Sequence, residues 1–212
     1  MRLPRAFAQS ALLAAFAGLA ALPLRAQTMT FSGNTCVGGS PTFVATYVEA
    51  GFQLGFGTNG SNGNGTFWCA GDPSYAGSPA MFQNTFNAVT TLTKVGGGPF
   101  GITSIDIAAL NNDAAGGFVT FTGNFFGGGT VTQTMSWNPS GNAPTFSTKT
   151  FANTWTNLTS VNFTQVQPYF QFDNIVLKDG TTVAPEPATV ALLAAGLASL
   201  VGFGSMRNHK RS

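Results

Sequence analysis

Six carboxylates lie between Gln27 and Val183: Glu49, Asp72, Asp106, Asp113, Asp173 and Asp179. Glycoside hydrolysis needs two such groups about 5–9.5 Å apart, and nothing in the spacing of these six marks a pair. The one histidine of the chain is His209, near the C-terminus. A Ser-His-Asp or Cys-His site and a histidine-ligated zinc or copper are therefore excluded from this region. The glycine runs Gly96-Gly97-Gly98-Pro99 and Gly127-Gly128-Gly129 lack the Gly-Lys-Ser/Thr ending of a phosphate loop and read as turns. The expectation is a protein that is not an enzyme, with a carboxylate-dependent glycoside hydrolase as the remote alternative.

Binding chemistry is better represented. Trp68, Tyr75 and Trp155 sit among Asn, Gly and Thr, where an aromatic face could stack on the C–H face of a sugar ring. Trp137 alternates with polar residues and belongs to a core. Thr130, Thr132 and Thr134 form a hydroxyl-rich strand face that ordinary strand propensity accounts for. Between Gln27 and Val183 three lysines stand against the six acids, a net charge of −3. That balance leaves no basic footprint for nucleic acid.

The elements that must position these residues are strands. Only 8% of the 212 residues are charged, and Gly, Thr, Ser, Asn and Phe are abundant, which favours strands and turns over helices. In Thr130–Trp137, Val131, Met135 and Trp137 share one face at period two. Ile105 and Ile107 do so in 103–109, and Val161 and Phe163 in 160–166; 118–125 and 169–177 are further strands. Turn signals separate them at Asn111-Asn112-Asp113, Gly127–Gly129 and Asn138–Asn142. Short strands of this kind predict an all-β antiparallel β-sandwich, jelly-roll-like, over residues 27–183. A β-solenoid is the alternative, and the lack of a fixed repeat counts against it.

The two ends read as addresses. Residues 1–26 carry Arg2 and Arg5 ahead of an apolar stretch and a small residue at Ala26, a secretory signal peptide that engages the Sec translocon. Ala188–Met206 is uncharged for 19 residues, a transmembrane helix of about 28 Å against a hydrocarbon core of about 30 Å. Arg207, Lys210 and Arg211 in the tail 207–212 hold that end in the cytoplasm. Export places Cys36 and Cys69, the two cysteines of the chain, in an oxidising compartment and predicts a disulfide between them.

Pro185-Glu186-Pro187, the run 188–206 and the basic end together make residues 184–212 resemble the PEP-CTERM sorting signal, also catalogued as the C-terminal domain of ice-binding proteins. The resemblance implies an exosortase as partner, with Pro185, Glu186 and Pro187 as its recognition motif. It also implies a transient stay in the inner membrane before delivery to the cell surface or extracellular matrix. The two prolines keep this segment extended and open to an enzyme groove.

Tyr47–Phe52 and Phe170–Leu177 resemble the first and last strands of secreted jelly-roll domains, including carbohydrate-binding modules. That resemblance implies that the two lie side by side, and that Glu49, Asp173 and Asn174 could share a structural calcium with backbone carbonyls. The sequence reading is thus an exported structural or carbohydrate-binding component of the envelope or biofilm matrix, with exopolysaccharide as the partner. A purely structural, self-associating protein is the alternative.

Overall fold

The computed structural model describes residues 26–37, 43–57, 64–110, 116–139 and 144–180. The expected signal peptide up to residue 25 and the whole of the expected sorting segment 184–212 lie outside the described residues. Among those described, no helix is long and apolar enough to cross a membrane.

The described residues form twelve strands: β1 (Ala26–Met29), β2 (Thr46–Glu49), β3 (Phe52–Phe56), β4 (Gly65–Phe67), β5 (Met81–Gln83), β6 (Val89–Lys94), β7 (Phe100–Ala109), β8 (Gly117–Phe125), β9 (Thr130–Trp137), β10 (Ser147–Thr150), β11 (Leu158–Thr164) and β12 (Phe170–Asp179). Every strand pairing is antiparallel. One layer runs β2-β3-β6-β11-β8-β9, and the other is built on β10-β7-β12-β5-β4 with β1 beside the far half of β12. The layers join at Leu158 with Phe100 and, where β2 and β4 approach, through the bridge between Val44 and Gly65, so the sheet is nearly closed on itself.

Alternation along the strands explains the closure. Leu54, Leu92, Val161, Phe163, Phe121 and Met135 point inward from the first layer, and Ile105, Ile107, Phe172 and Ile175 meet them from the second. Phe163 and Phe172 cross at 5.1 Å and 90°, Trp137 and Phe170 lie 5.1 Å apart, and Phe52 and Phe100 5.4 Å apart. The edge-to-face geometry of the Phe163–Phe172 and Phe52–Phe100 pairs suits the ring quadrupole. At the start of β8 no side chain competes with Trp137: Gly117 pairs with it across the ladder, and a Cβ there would collide with the indole.

The stretch Tyr47–Phe52, expected as one strand, is two. Ala50 and Gly51 both take positive φ, 51° and 77°, and fold β2 onto β3 as a two-residue hairpin. The element beside the last strand is therefore β1, and β2 pairs with β3 instead. The predicted disulfide forms, with Cys36 and Cys69 Cα atoms 6.0 Å apart.

Candidate functional site

The second layer has a covered outer face. Downstream of Cys69, the chain turns through Asp72–Tyr75 and packs on β7 and β12. Gln171 donates its amide to the Ser74 and Ala109 carbonyls at 3.0 Å each, and Gln171, Asp173 and Ala108 are buried there.

At the margin of this cover lies a carboxylate pair that sequence spacing did not reveal, Asp173 buried and Asp106 half-exposed. Asp106 on β7 and Asp173 on β12 are direct cross-strand partners, where like charges oppose each other. Asn174 stands between them at the bulge that follows. Its φ of 45° lets its backbone N–H donate to Asp173 Oδ1 at 2.7 Å while its side-chain amide donates to Asp106 Oδ2 at 2.9 Å. Thr148 donates to the other Asp106 oxygen at 2.6 Å. The signal that could have found the pair is the period-two alternation of β7 and β12, but register is set by partners, not by either strand alone.

Burial pushes the Asp173 carboxyl above its ordinary value; hydrogen bonds from Ser78 and the Asn174 backbone hold it back, and the charges of Asp106 and Glu49 push it further up. A raised acid beside a second carboxylate is the pattern of a glycosidase pair. Asp173 is only 2% exposed, so no sugar reaches its carboxyl in this conformation. A folded-state value above the unfolded one means the native state holds this proton more tightly. Its contribution to stability falls as pH rises from about 3.8 through the folded value. Asp173→Asn is expected to raise Tm at pH 7 in EDTA and to flatten this part of the pH–stability curve. An unchanged or lower Tm would show that the charge costs nothing there.

Glu49 is near this pair through charge but has its own donors. It accepts from the Thr30 hydroxyl at 3.0 Å, the Phe31 N–H at 2.9 Å and the Tyr47 hydroxyl at 3.1 Å. Burial, then the Glu49 charge and that hydrogen bond, push the Tyr47 phenol up to about 12. The Asn174 amide turns to Asp106, away from a site shared with Glu49. Among the described residues no three His, Cys, Asp or Glu side chains converge as a metal site.

The aromatic candidates separate. Trp155 is 1% exposed and packs its ring 4.7 Å from that of Phe151, so it is core and cannot stack on a sugar; the polar context of its sequence neighbours reflects the turn it closes. Trp68 is half-buried and stacks on Phe82 at 5.6 Å and 16°, beside the disulfide. Tyr75 is half-buried in the covering segment. Trp137 is in the core as its alternation implied.

The outer face of the first layer is open, and here the structure joins what the sequence left scattered. One cross-strand row reads Thr132, Thr122, Asn162, Thr91, Gly55 and Thr46 from β9 to β2. The next reads Thr130, Asn124, Ser160, Thr93, Gln53 and Val48. Hydroxyls and amides thus recur about every 4.8 Å across the strands and about 6.8 Å along them. Neighbours within the grid bond to each other: Thr120 and Thr134 hydroxyls lie 2.9 Å apart, and Asn124 donates to Ser160 at 2.8 Å. No charged side chain stands on either row.

No protein-family profile and no curated protein matches this chain. Among solved structures it is similar to a family 29 carbohydrate-binding module complexed with mannohexaose, at 9% identity over 77% of this chain and 100% of that one, with a TM-score of 0.35. It is also similar to the family 11 carbohydrate-binding module from Clostridium thermocellum in complex with a β-1,3-1,4-mixed-linked tetrasaccharide. That match has 11% identity, 75% and 98% coverage, and a TM-score of 0.32. The likeness is loose, and the chain's own surface has to carry any functional reading.

Proposed function

We propose that this is an exported, non-catalytic component of the cell envelope or extracellular matrix whose first-layer outer face binds neutral polysaccharide. The observation that carries the reading is the uncharged grid of hydroxyls and amides on six adjacent strands. Such a face offers donors and acceptors to sugar hydroxyls and gives an ionic partner nothing to pair with. Routing by the signal peptide, the Sec translocon and an exosortase acting at Pro185–Pro187 belongs to the same proposal, as does the jelly-roll lineage of the fold. So does a structural calcium at Glu49 and Asp173, where a cation would offset the Glu49 and Asp106 charges that act on Asp173.

The test is equilibrium binding of the exported chain to its host's own exopolysaccharide, with calcium and with EDTA. Saturable binding is expected, and the triple substitution Thr91→Val, Thr122→Val, Thr132→Val, which keeps strand propensity and removes one row of hydroxyls, should weaken it about tenfold or more. Absence of binding in both conditions would overturn the glycan reading. Loss on Trp68→Ala with the triple variant unaffected would move the site to the disulfide loop. Equal Tm in calcium and EDTA would remove the calcium.

A further inference from the structure

Among the described residues, five strands have a neighbour on one side only: β1, β2, β4, β9 and β10. Four of them are short, with four, four, three and four residues, and length is one of the ways a fold protects its edges. Three carry a second protection. β2 ends on Glu49 and turns away at once through Ala50. β10 carries Lys149. β4 is capped by reciprocal backbone hydrogen bonds between Gly65 and Val44 at 2.8 and 2.9 Å.

β9 has none of these defences. It is eight residues long, Thr-Val-Thr-Gln-Thr-Met-Ser-Trp, with no charge, proline or glycine. It spans about 27 Å. Its ladder to β8 is regular from Thr130 to Trp137 with no bulge. Among the described residues no backbone hydrogen bond joins it to any strand or loop but β8. Among the described residues its one hydrogen-bonded tie across the edge is a side chain: Gln133 donates to the Thr150 carbonyl at 2.9 Å and accepts from the Ala152 N–H at 3.0 Å. An open row of backbone donors and acceptors of this length is a template for another strand.

We propose that β9 pairs with β9 of a second copy of this chain, antiparallel about a twofold axis at Gln133. Directly opposed residues in an antiparallel pair point to the same face, so a symmetric register must set outward residues against outward ones. Centring on Gln133 does this over seven residues: Thr132 faces Thr134 of the other copy, Thr130 faces Ser136, and Val131 faces Met135 on the inner side. A centre on Thr134 would instead oppose the Gln133 amide to Met135, and like-with-like pairs are the favourable ones. The strand is uncharged, so self-pairing opposes no like charges. The dimer lays the two grids edge to edge, one continuous face of twice six strands. It requires no glycan, and its failure would leave the binding reading untouched.

Sedimentation equilibrium of the exported chain from about 1 to 500 µM, the range in which a small interface associates, tests this by mass. Wild-type chain is expected to approach twice its monomer mass at the upper end. T132K/T134K, which sets lysine against lysine in the dimer, should stay monomeric throughout. T132E/T134K, with the same two sites changed, should dimerise again because each glutamate now faces a lysine. A wild-type monomer at all concentrations, or a T132K/T134K dimer, would overturn the β9 interface. Monomeric T132E/T134K would overturn the register. Since both variants alter the same exposed pair, a folding defect would appear in both and is read by their melting curves.

Discussion

Replacing Cys36 and Cys69 together by serine is expected to lower the unfolding free energy by about 3–4 kcal/mol. The bond closes a loop across a sequence separation of 33, and in the chain-entropy account a loop of this size restricts the unfolded chain by about that much. The native state adds a local consequence. The bond anchors the start of the segment that covers Gln171 and Asp173, so its loss should open this outer face before the core. Hydrogen exchange at the backbone amides of Gln171 and Asp173 should then rise in the serine variant more than at Phe121, which lies under the other layer. Urea unfolding gives the magnitude, and a loss below about 1 kcal/mol would mean that the cover holds by its own contacts, chiefly the Gln171 amide.

Phe172→Ala should cost about 3–5 kcal/mol, the usual range for truncating a buried aromatic. Phe172 is fully buried, with Phe163 edge-on at 5.1 Å, Phe31 at 5.9 Å and Phe170 at 6.4 Å. These neighbours come from both layers and from the segment after β1, so the cavity cannot be closed by moving one strand. Against a total stability of roughly 5–15 kcal/mol for a domain of this kind, the loss would be a large share. A shift of the urea midpoint at constant slope is the expected readout. A cost below about 2 kcal/mol would show that the rings repack.

Strand interiors were legible because alternation is a local property. Val131, Met135 and Trp137 share the inner face of β9, and Val161 and Phe163 that of β11, where period two puts them. The break at Ala50 was hidden: alanine rarely takes a positive φ, and only the hairpin imposes it. Trp155 misled because its neighbours are polar, whereas its ring is placed by the turn that precedes β11 and falls against Phe151. Asp106 went unmarked because it lies 67 positions from Asp173 in the chain and becomes its neighbour only by strand pairing.

The sequence by itself determined the all-β class, the inward-facing residues of the long strands, the disulfide between the chain's two cysteines, and the absence of histidine chemistry between Gln27 and Val183. These follow from composition and from a two-residue period, which need no knowledge of partners. Tertiary structure alone decided that Thr132, Thr122, Asn162 and Thr91 stand in one row, that the second layer's outer face is partly covered and the first layer's open, that Asp173 is buried beside a half-exposed Asp106, and that β9 is the long edge. Each of these depends on which strand lies beside which and in what register, and that is set by the burial of residues distant in sequence against one another.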